Sequence, residues 1–135
     1  MEDLHTVKLL VIDDFSSFFE IISHYADICS HLVRIECKYA ACESEALGII
    51  KEWDPSVVLV DLYLPDLNGF DFVERYRDML PPIIITCESR SRELEERARL
   101  RGASAYLQKS DNPDDMEYVL NKIINVATPL AHYRL

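Results

Sequence analysis

Five side chains able to do chemistry each stand at the end of an apolar run. Asp13 and Asp14 close LLVI (9–12), Asp61 closes SVVLV (56–60), Thr86 closes PPIII (81–85) and Lys109 closes SAYLQ (104–108). Adjacent carboxylates repel, and burying either costs several kcal/mol unless something compensates it. A third carboxylate brought beside them makes a bound divalent cation strongly favourable. Ligands that are all oxygen, carried on loops, suit Mg²⁺ better than zinc. A hydroxyl and an ammonium facing such a cluster make sense if a further anion enters. Phosphoryl is the natural candidate, because a divalent cation and a lysine neutralise its oxygens while a hydroxyl orients it. A carboxylate can itself be the nucleophile and form an aspartyl phosphate. Asp61 has no neighbouring acid in its own strand and is the best placed acceptor. Taken singly, each residue has a plainer role: a strand-end Asp caps a turn or helix, a Thr sits in a strand, a Lys is solvated. The joint placement points to a site.

These residues need a scaffold that gathers strand ends at one edge. Strand-like apolar runs alternate with helix-period segments along the whole chain. KLLVID (8–13) is the first predicted strand, followed by a helix over 16–26 with Phe18, Ile21, Ile22 and Tyr25 on one face. VRIECK (33–38) alternates as a second strand. The segment 42–53 is a helix with Ala46, Leu47, Ile50 and Trp53 at core spacing, stopped by Pro55. SVVLVD (56–61) is a third strand, YLPDLNG a loop of turn residues and 70–80 a helix. PPIIIT (81–86) is a fourth strand. The charged helix 91–101 is expected to carry Glu93–Arg97 and Glu95–Arg99 pairs and a Gly102 cap. SAYLQK (104–109) is a fifth strand, and 114–127 the last helix, with Pro113 near its start.

A β-strand followed by an α-helix, repeated five times with apolar strands, implies an α/β doubly wound sandwich. Its five-stranded parallel sheet is covered on both faces, with right-handed crossovers. With strand order 2-1-3-4-5, the first and third strands are neighbours about 4.8 Å apart. Asp13, Asp14 and Asp61 then converge, at the carboxyl edge where such sheets bind ligands.

Composition narrows the function classes. The 135 residues suit one domain, and 49% of them are apolar, enough for a core. A net charge of −10 argues against the chain gripping a nucleic-acid backbone, which needs a basic face. No apolar run approaches a membrane span, and MEDLHTVK lacks the apolar block of a signal peptide, so a soluble, cytoplasmic protein with no membrane partner is expected. Cys29, Cys37, Cys42 and Cys87 form no CxxC and read as small apolar packers. The four histidines are scattered, with no pair at metal-ligand spacing.

VIDDF (11–15), PSVVLVDLYLPDLNG (55–69), PPIIIT (81–86) and GASAYLQK (102–109) together resemble the receiver domain of two-component response regulators, in the chemotaxis-regulator-like superfamily. Spacing agrees as well as residue type, over nearly the whole length. The resemblance implies a flavodoxin-like fold with a receiver domain over 1–127, and a tail or the start of a linker over 128–135. It implies that Asp61 is the phosphoacceptor, that Asp14 ligates Mg²⁺ directly and that Asp13 acts largely through water. The backbone carbonyl of Tyr63 becomes a further metal ligand. Lys109 and Thr86 contact the phosphoryl oxygens, and Tyr106 is a switch aromatic that turns inward when Thr86 moves toward the phosphoryl group. The face that rearranges is the fourth helix, fifth strand and fifth helix, used for an effector or a homodimer. The donor is a phosphohistidine on a sensor histidine kinase or histidine phosphotransfer protein. Phe15 and Phe19, read as exposed aromatics beside the pocket, are candidates for docking that donor.

Two departures from the family pattern stand out. Lysine is commonly followed there by a cis proline, whereas Ser110 follows Lys109, and a cis bond before serine costs about 2.5–4 kcal/mol. Cys87 follows Thr86 where a smaller residue is usual, and is expected to restrict water at the pocket, flanked by Tyr63 and Glu88. The protein is expected to be no enzyme beyond its own Mg-dependent phosphorylation and dephosphorylation. One competing reading is a degenerate receiver acting as a phosphorylation-independent interaction module, against which the intact set of five site residues weighs. Another is a phosphohydrolase with an aspartyl-phosphate intermediate. Such enzymes commonly use a DxD pair, and Asp61 is followed by Leu62 and Tyr63 instead.

Overall fold

A computed structural model describes residues 5–29, 33–79 and 81–128. Five parallel strands form one sheet in the order β2-β1-β3-β4-β5. They are β1 (His5–Ile12), β2 (Val33–Ala40), β3 (Val57–Asp61), β4 (Ile83–Cys87) and β5 (Ala105–Gln108). The helices are α1 (Ser17–Cys29), α2 (Glu43–Trp53), α3 (Gly69–Tyr76), α4 (Arg92–Arg101) and α5 (Pro113–Ala127). The doubly wound α/β architecture and its strand order are those expected from the alternation of apolar runs and helical periods.

Burial follows position in the sheet. Every residue of β3 and β4 is buried, because helices cover both faces of these inner strands. The edge strand β2 alternates exposed positions with half-buried ones and buries only Ile35 and Ala40. Period-two alternation sorts the strand side chains into two cores. Val7, Leu9, Val11, Val57, Leu59, Ile84 and Leu107 pack with α1 and α5. Leu10, Ile12, Val58, Val60, Ile83, Ile85, Cys87 and Tyr106 pack with α2, α3 and α4. The C-terminal segment 128–135, expected as a tail or the start of a linker, lies from residue 129 onward outside the described residues.

Several local expectations differ in the structure. α3 ends at Tyr76 rather than continuing to 80, and turn backbone follows over 77–79. Leu47 is exposed, and Ile49 rather than Leu47 joins Ile50 against the core. α2 is closed by Asp54 in the left-handed conformation (φ 56°) directly before Pro55. On α4 the anticipated i, i+4 pairs are replaced. Arg99 pairs with Glu96 at 2.5 Å, Arg97 lies over the Phe70 ring at 4.9 Å, and Arg101 reaches Glu74 at 3.4 Å. Arg97 and Arg101 turn to α3, where the buried Phe70 ring offers both guanidinium groups a cation–π partner. Gly102 caps α4 as expected, at φ 108°. Among the described residues Cys37, Cys42 and Cys87 are free thiols, and no peptide bond is cis, that between Lys109 and Ser110 included.

Candidate functional site

The carboxyl edge of the sheet is where the chemistry-bearing residues meet. Asp61 is the last residue of β3 and pairs in register with Thr86 of β4. Asp13 follows the last residue of β1, and Lys109 the last residue of β5. Continuing the alternation of each strand, Asp13, Asp61, Thr86 and Lys109 share the parity of Val11, Leu59, Ile84 and Leu107. All four therefore belong to the α1/α5 side of the sheet. Carboxylate oxygens of Asp13, Asp14 and Asp61 lie within 4.8 Å of one another.

Asp13 is nearly fully buried and is held from four directions. Its backbone N–H donates to the Ala40 carbonyl at 3.0 Å, and the Tyr39 hydroxyl donates to its carbonyl oxygen at 2.5 Å. Its carboxylate accepts from the Phe15 N–H at 3.1 Å and from the Lys109 ammonium at 2.6 Å. Lys109 also stands 3.5 Å from Asp61. Its backbone N–H donates to the Cys87 carbonyl at 2.8 Å, which anchors the lysine to the end of β4. Asp61 accepts a long hydrogen bond, 3.4 Å, from the Tyr63 N–H.

Burial raises the Asp61 carboxyl above its ordinary pKa; Lys109 pulls it down, and Asp13 pushes it up again. Burial opposes charge on Lys109 as well, but the hydrogen bond to Asp13 and the charges of Asp61 and Asp13 hold its pKa above the usual lysine value. Three carboxylates against one ammonium leave an excess of two negative charges in a pocket that, among the described residues, offers a cation oxygen ligands. That set fits a hard divalent ion.

The loop after Asp61 folds back onto its own strand. The Gly69 N–H donates to the Leu62 carbonyl at 2.7 Å, and Tyr63 bridges to Asn68. A Cβ on Gly69 would lie 2.8 Å from the Leu62 Cα and 3.0 Å from the Asp61 carbonyl oxygen, so only glycine lets the start of α3 brace the Asp61 backbone. Asn68 caps α3, its side chain accepting from the Phe70 N–H at 2.7 Å.

The remaining expected residues divide. Tyr63 has an exposed side chain. The Thr86 hydroxyl donates to the Val60 carbonyl at 3.4 Å. Tyr106 is buried in the α2/α3/α4 core with its hydroxyl donating to the Ser89 carbonyl at 2.7 Å. Burial, with Cys87 beside it, pushes its phenol well above the ordinary value. Cys87 packs with Tyr106 in this same core, on the opposite side of the sheet from Asp61, so its side chain does not wall the pocket. Phe15 is 70% exposed and lines a cavity with Phe18, Ile21, Glu88 and Lys109. Phe19, read from the sequence as exposed, is half-buried and packs on the Tyr39 ring with centroids 5.4 Å apart. α1 starts only at Ser17, so Phe15 and Phe19 do not share one helical face. Tyr39 was not singled out from the sequence. The signal was there, since the alternation of VRIECK continues through Tyr39 and carries the strand to the edge beside Asp13.

A doubly wound, five-stranded parallel sheet of order 2-1-3-4-5 defines the flavodoxin-like class of α/β domains. Within that class, the family model for the response regulator receiver domain matches residues 9–121, and the chain belongs to that family. It is 30% identical over 119 residues to a probable transcriptional regulator, ycf27, of Porphyridium aerugineum, covering 87% of this chain and 48% of the relative. It is 24% identical to the response regulator SaeR of Staphylococcus epidermidis, covering 86% of this chain and 49% of the relative. The chain thus spans about half the length of these curated relatives. Among solved structures, chemotaxis response regulator CheY4 of Vibrio cholerae superposes with a TM-score of 0.73 at 26% identity, covering 87% of this chain and 98% of that one. A response regulator from Thermotoga maritima superposes at 0.77 with 17% identity, covering 91% and 98%, a likeness of fold.

Proposed function

We propose that this receiver domain is a phosphoacceptor signalling switch that takes a phosphoryl group on Asp61 from a phosphohistidine of a sensor histidine kinase or histidine phosphotransfer protein. The observation that carries the reading is the placement of Asp61. It is a buried carboxylate at a strand end, 3.5 Å from the Lys109 ammonium and clustered with Asp13 and Asp14. An Asp61 carboxylate oxygen attacks phosphorus, the P–N bond breaks, and the imidazole of the donor takes the electron pair. Lys109 neutralises a phosphoryl oxygen, and the Thr86 hydroxyl, which leaves the Val60 carbonyl, orients another. Asp13, Asp14, Asp61 and the Tyr63 backbone carbonyl are the groups that would hold Mg²⁺. Bound there, the ion supplies charge neutralisation for the transferring phosphoryl group. The donor approaches over the open side of the pocket, where Phe15 is exposed.

The output is assigned to the face formed by α4, β5 and α5, through which Tyr106 and Thr86 are coupled to Asp61 and an effector or a second copy binds. The protein turns over no external substrate and acts in the cytoplasm. Among the described residues no helix is long and apolar enough to cross a membrane, which is consistent with that assignment. The test is incubation with a small phosphodonor such as acetyl phosphate and Mg²⁺. One acid-stable, base-labile phosphoryl group per chain is expected, absent in Asp61→Asn and absent when the divalent cation is chelated. Label that persists in Asp61→Asn sinks the acceptor assignment.

A further inference from the structure

The three clustered carboxylates are not held alike. Asp13 accepts from the Phe15 N–H and from Lys109, and Asp61 accepts from the Tyr63 N–H and stands beside Lys109. Asp14 alone of the three makes no side-chain hydrogen bond or ion pair among the described residues. It is half-buried, and its place is set by the backbone that carries it. The peptide joining Asp13 to Asp14 lies just beyond the end of β1, and its carbonyl oxygen accepts from the Tyr39 hydroxyl at 2.5 Å. The Asp13 N–H donates to the Ala40 carbonyl at 3.0 Å, so the last two residues of β2 grip both polar atoms of the Asp13 backbone. Register places Tyr39 for this. It pairs with Val11, whose side chain faces α1 and α5, and strand residues rise about 3.3 Å each. The phenol therefore runs two residues along the sheet to reach the Asp13 carbonyl, a span that serine or threonine cannot cover. The Phe19 ring of α1 steadies it on the way, with centroids 5.4 Å apart. Because a peptide is planar, a bond to its oxygen fixes the torsions on either side, ψ of Asp13 and φ of Asp14. Those torsions aim the Asp14 side chain.

We infer that Tyr39 is a positioning residue for the cation site: its hydroxyl fixes the Asp13–Asp14 peptide, so that the Asp14 carboxylate is aimed into the acid cluster before a divalent ion arrives. The inference rests on the proposed reading of that cluster as a Mg²⁺ site, and it adds a residue outside the five at the strand ends. Preorganisation matters because the three carboxylates repel. An unrestrained Asp14 swings away from Asp13 and Asp61, and the ion must then supply the free energy of bringing it back. Tyr39 acts through the backbone and occupies no carboxylate oxygen, so every lone pair of Asp14 stays free for the ion. The plainer role for Tyr39 is packing against Phe19. Phenylalanine keeps that packing and removes only the hydroxyl, so one substitution separates the two roles.

The test is calorimetric titration of Mg²⁺ alone, with no phosphodonor, into the full chain and into Tyr39→Phe. Loss of a hydrogen bond that orients a ligand is expected to weaken Mg²⁺ binding about fivefold or more. Tyr25→Phe, which removes a hydroxyl farther along α1, should leave the affinity unchanged. In an Asp14→Asn background the loss caused by Tyr39→Phe should vanish, because the hydroxyl acts through Asp14. In labelling with acetyl phosphate, Tyr39→Phe should need more Mg²⁺ for its half-maximal rate and reach the parent rate at saturating Mg²⁺. The inference is overturned if Tyr39→Phe binds Mg²⁺ as tightly as the parent chain, or if its labelling stays slow at saturating Mg²⁺. It is also overturned if the loss is as large in the Asp14→Asn background, which would assign it to the packing of β2 on α1. The parent chain separates the failures. Label on the parent with equal Mg²⁺ affinity in Tyr39→Phe rejects the inference alone, whereas a parent that binds no Mg²⁺ and takes no label rejects the acceptor reading with it.

Discussion

The carboxylate pocket and the groove between α4, β5 and α5 use charge in opposite ways. In the pocket, Asp13 and Lys109 have side chains 2% and 10% exposed, so their interaction is little screened and each group depends on the other. On the rim of that groove Arg90 and Arg92 are exposed and Lys122 half-buried, and each contributes little alone. The same contrast separates the helices beside them. α3 buries Phe70, Phe72 and Val73, whereas α4 buries Ala98 alone and is tied to α3 through Arg97 and Arg101. Buried charge makes a few residues indispensable; exposed charge spreads recognition over many and leaves the element that carries it only lightly held.

The largest effect is expected from Lys109→Ala, which strands Asp13 and Asp61 as buried like charges. Breaking such a pair should lower stability by about 3 kcal/mol, read by urea unfolding in the absence of divalent cations. Lys109 has a raised pKa in the fold, so its stabilisation is fully present at neutral pH and is lost only as pH rises through that value. A loss as small as that of a surface lysine would erase the contrast.

Gly69→Ala should follow, at about 2 kcal/mol, because its Cβ meets backbone that cannot move without shifting Asp61. Phosphoryl labelling should fall in parallel. Normal labelling would mean that the loop does not position the acceptor.

Asp61→Asn should have the opposite sign. The Asp61 pKa is raised in the fold, so its stabilising contribution is present in acid and lost as pH rises through the raised value. At pH 7 without Mg²⁺ the variant should melt higher, by on the order of 1 kcal/mol, with the gain shrinking toward pH 4. An unchanged or lowered melting temperature at pH 7 contradicts the electrostatic account.

The smallest effect is expected from Arg101→Ala, below about 1 kcal/mol, although it removes contacts to Asp71, Glu74 and the Phe70 ring. Its signature is salt dependence: the difference from the parent protein should vanish at high ionic strength.

The sequence by itself determined the α/β order, the strand order and the edge at which Asp13, Asp14, Asp61, Thr86 and Lys109 collect. Apolar runs ending in polar residues are a local, periodic signal, and parallel crossovers leave few ways to arrange them. Gly102 and Pro113 were legible for the same reason, since caps are local. What the tertiary structure decided is which groups touch. Lys109 sits on Asp13 more closely than on Asp61, Tyr39 fastens the Asp13 backbone, and Phe19 turns inward onto Tyr39 while Phe15 stays out. Arg97 leaves the expected Glu93 of its own helix for the Phe70 ring of α3, and Arg99 takes Glu96 rather than the expected Glu95. These choices compare a neighbour in the chain with a partner tens of residues away, and the lower dielectric between packed elements settles them. Periodicity along one chain carries no measure of that.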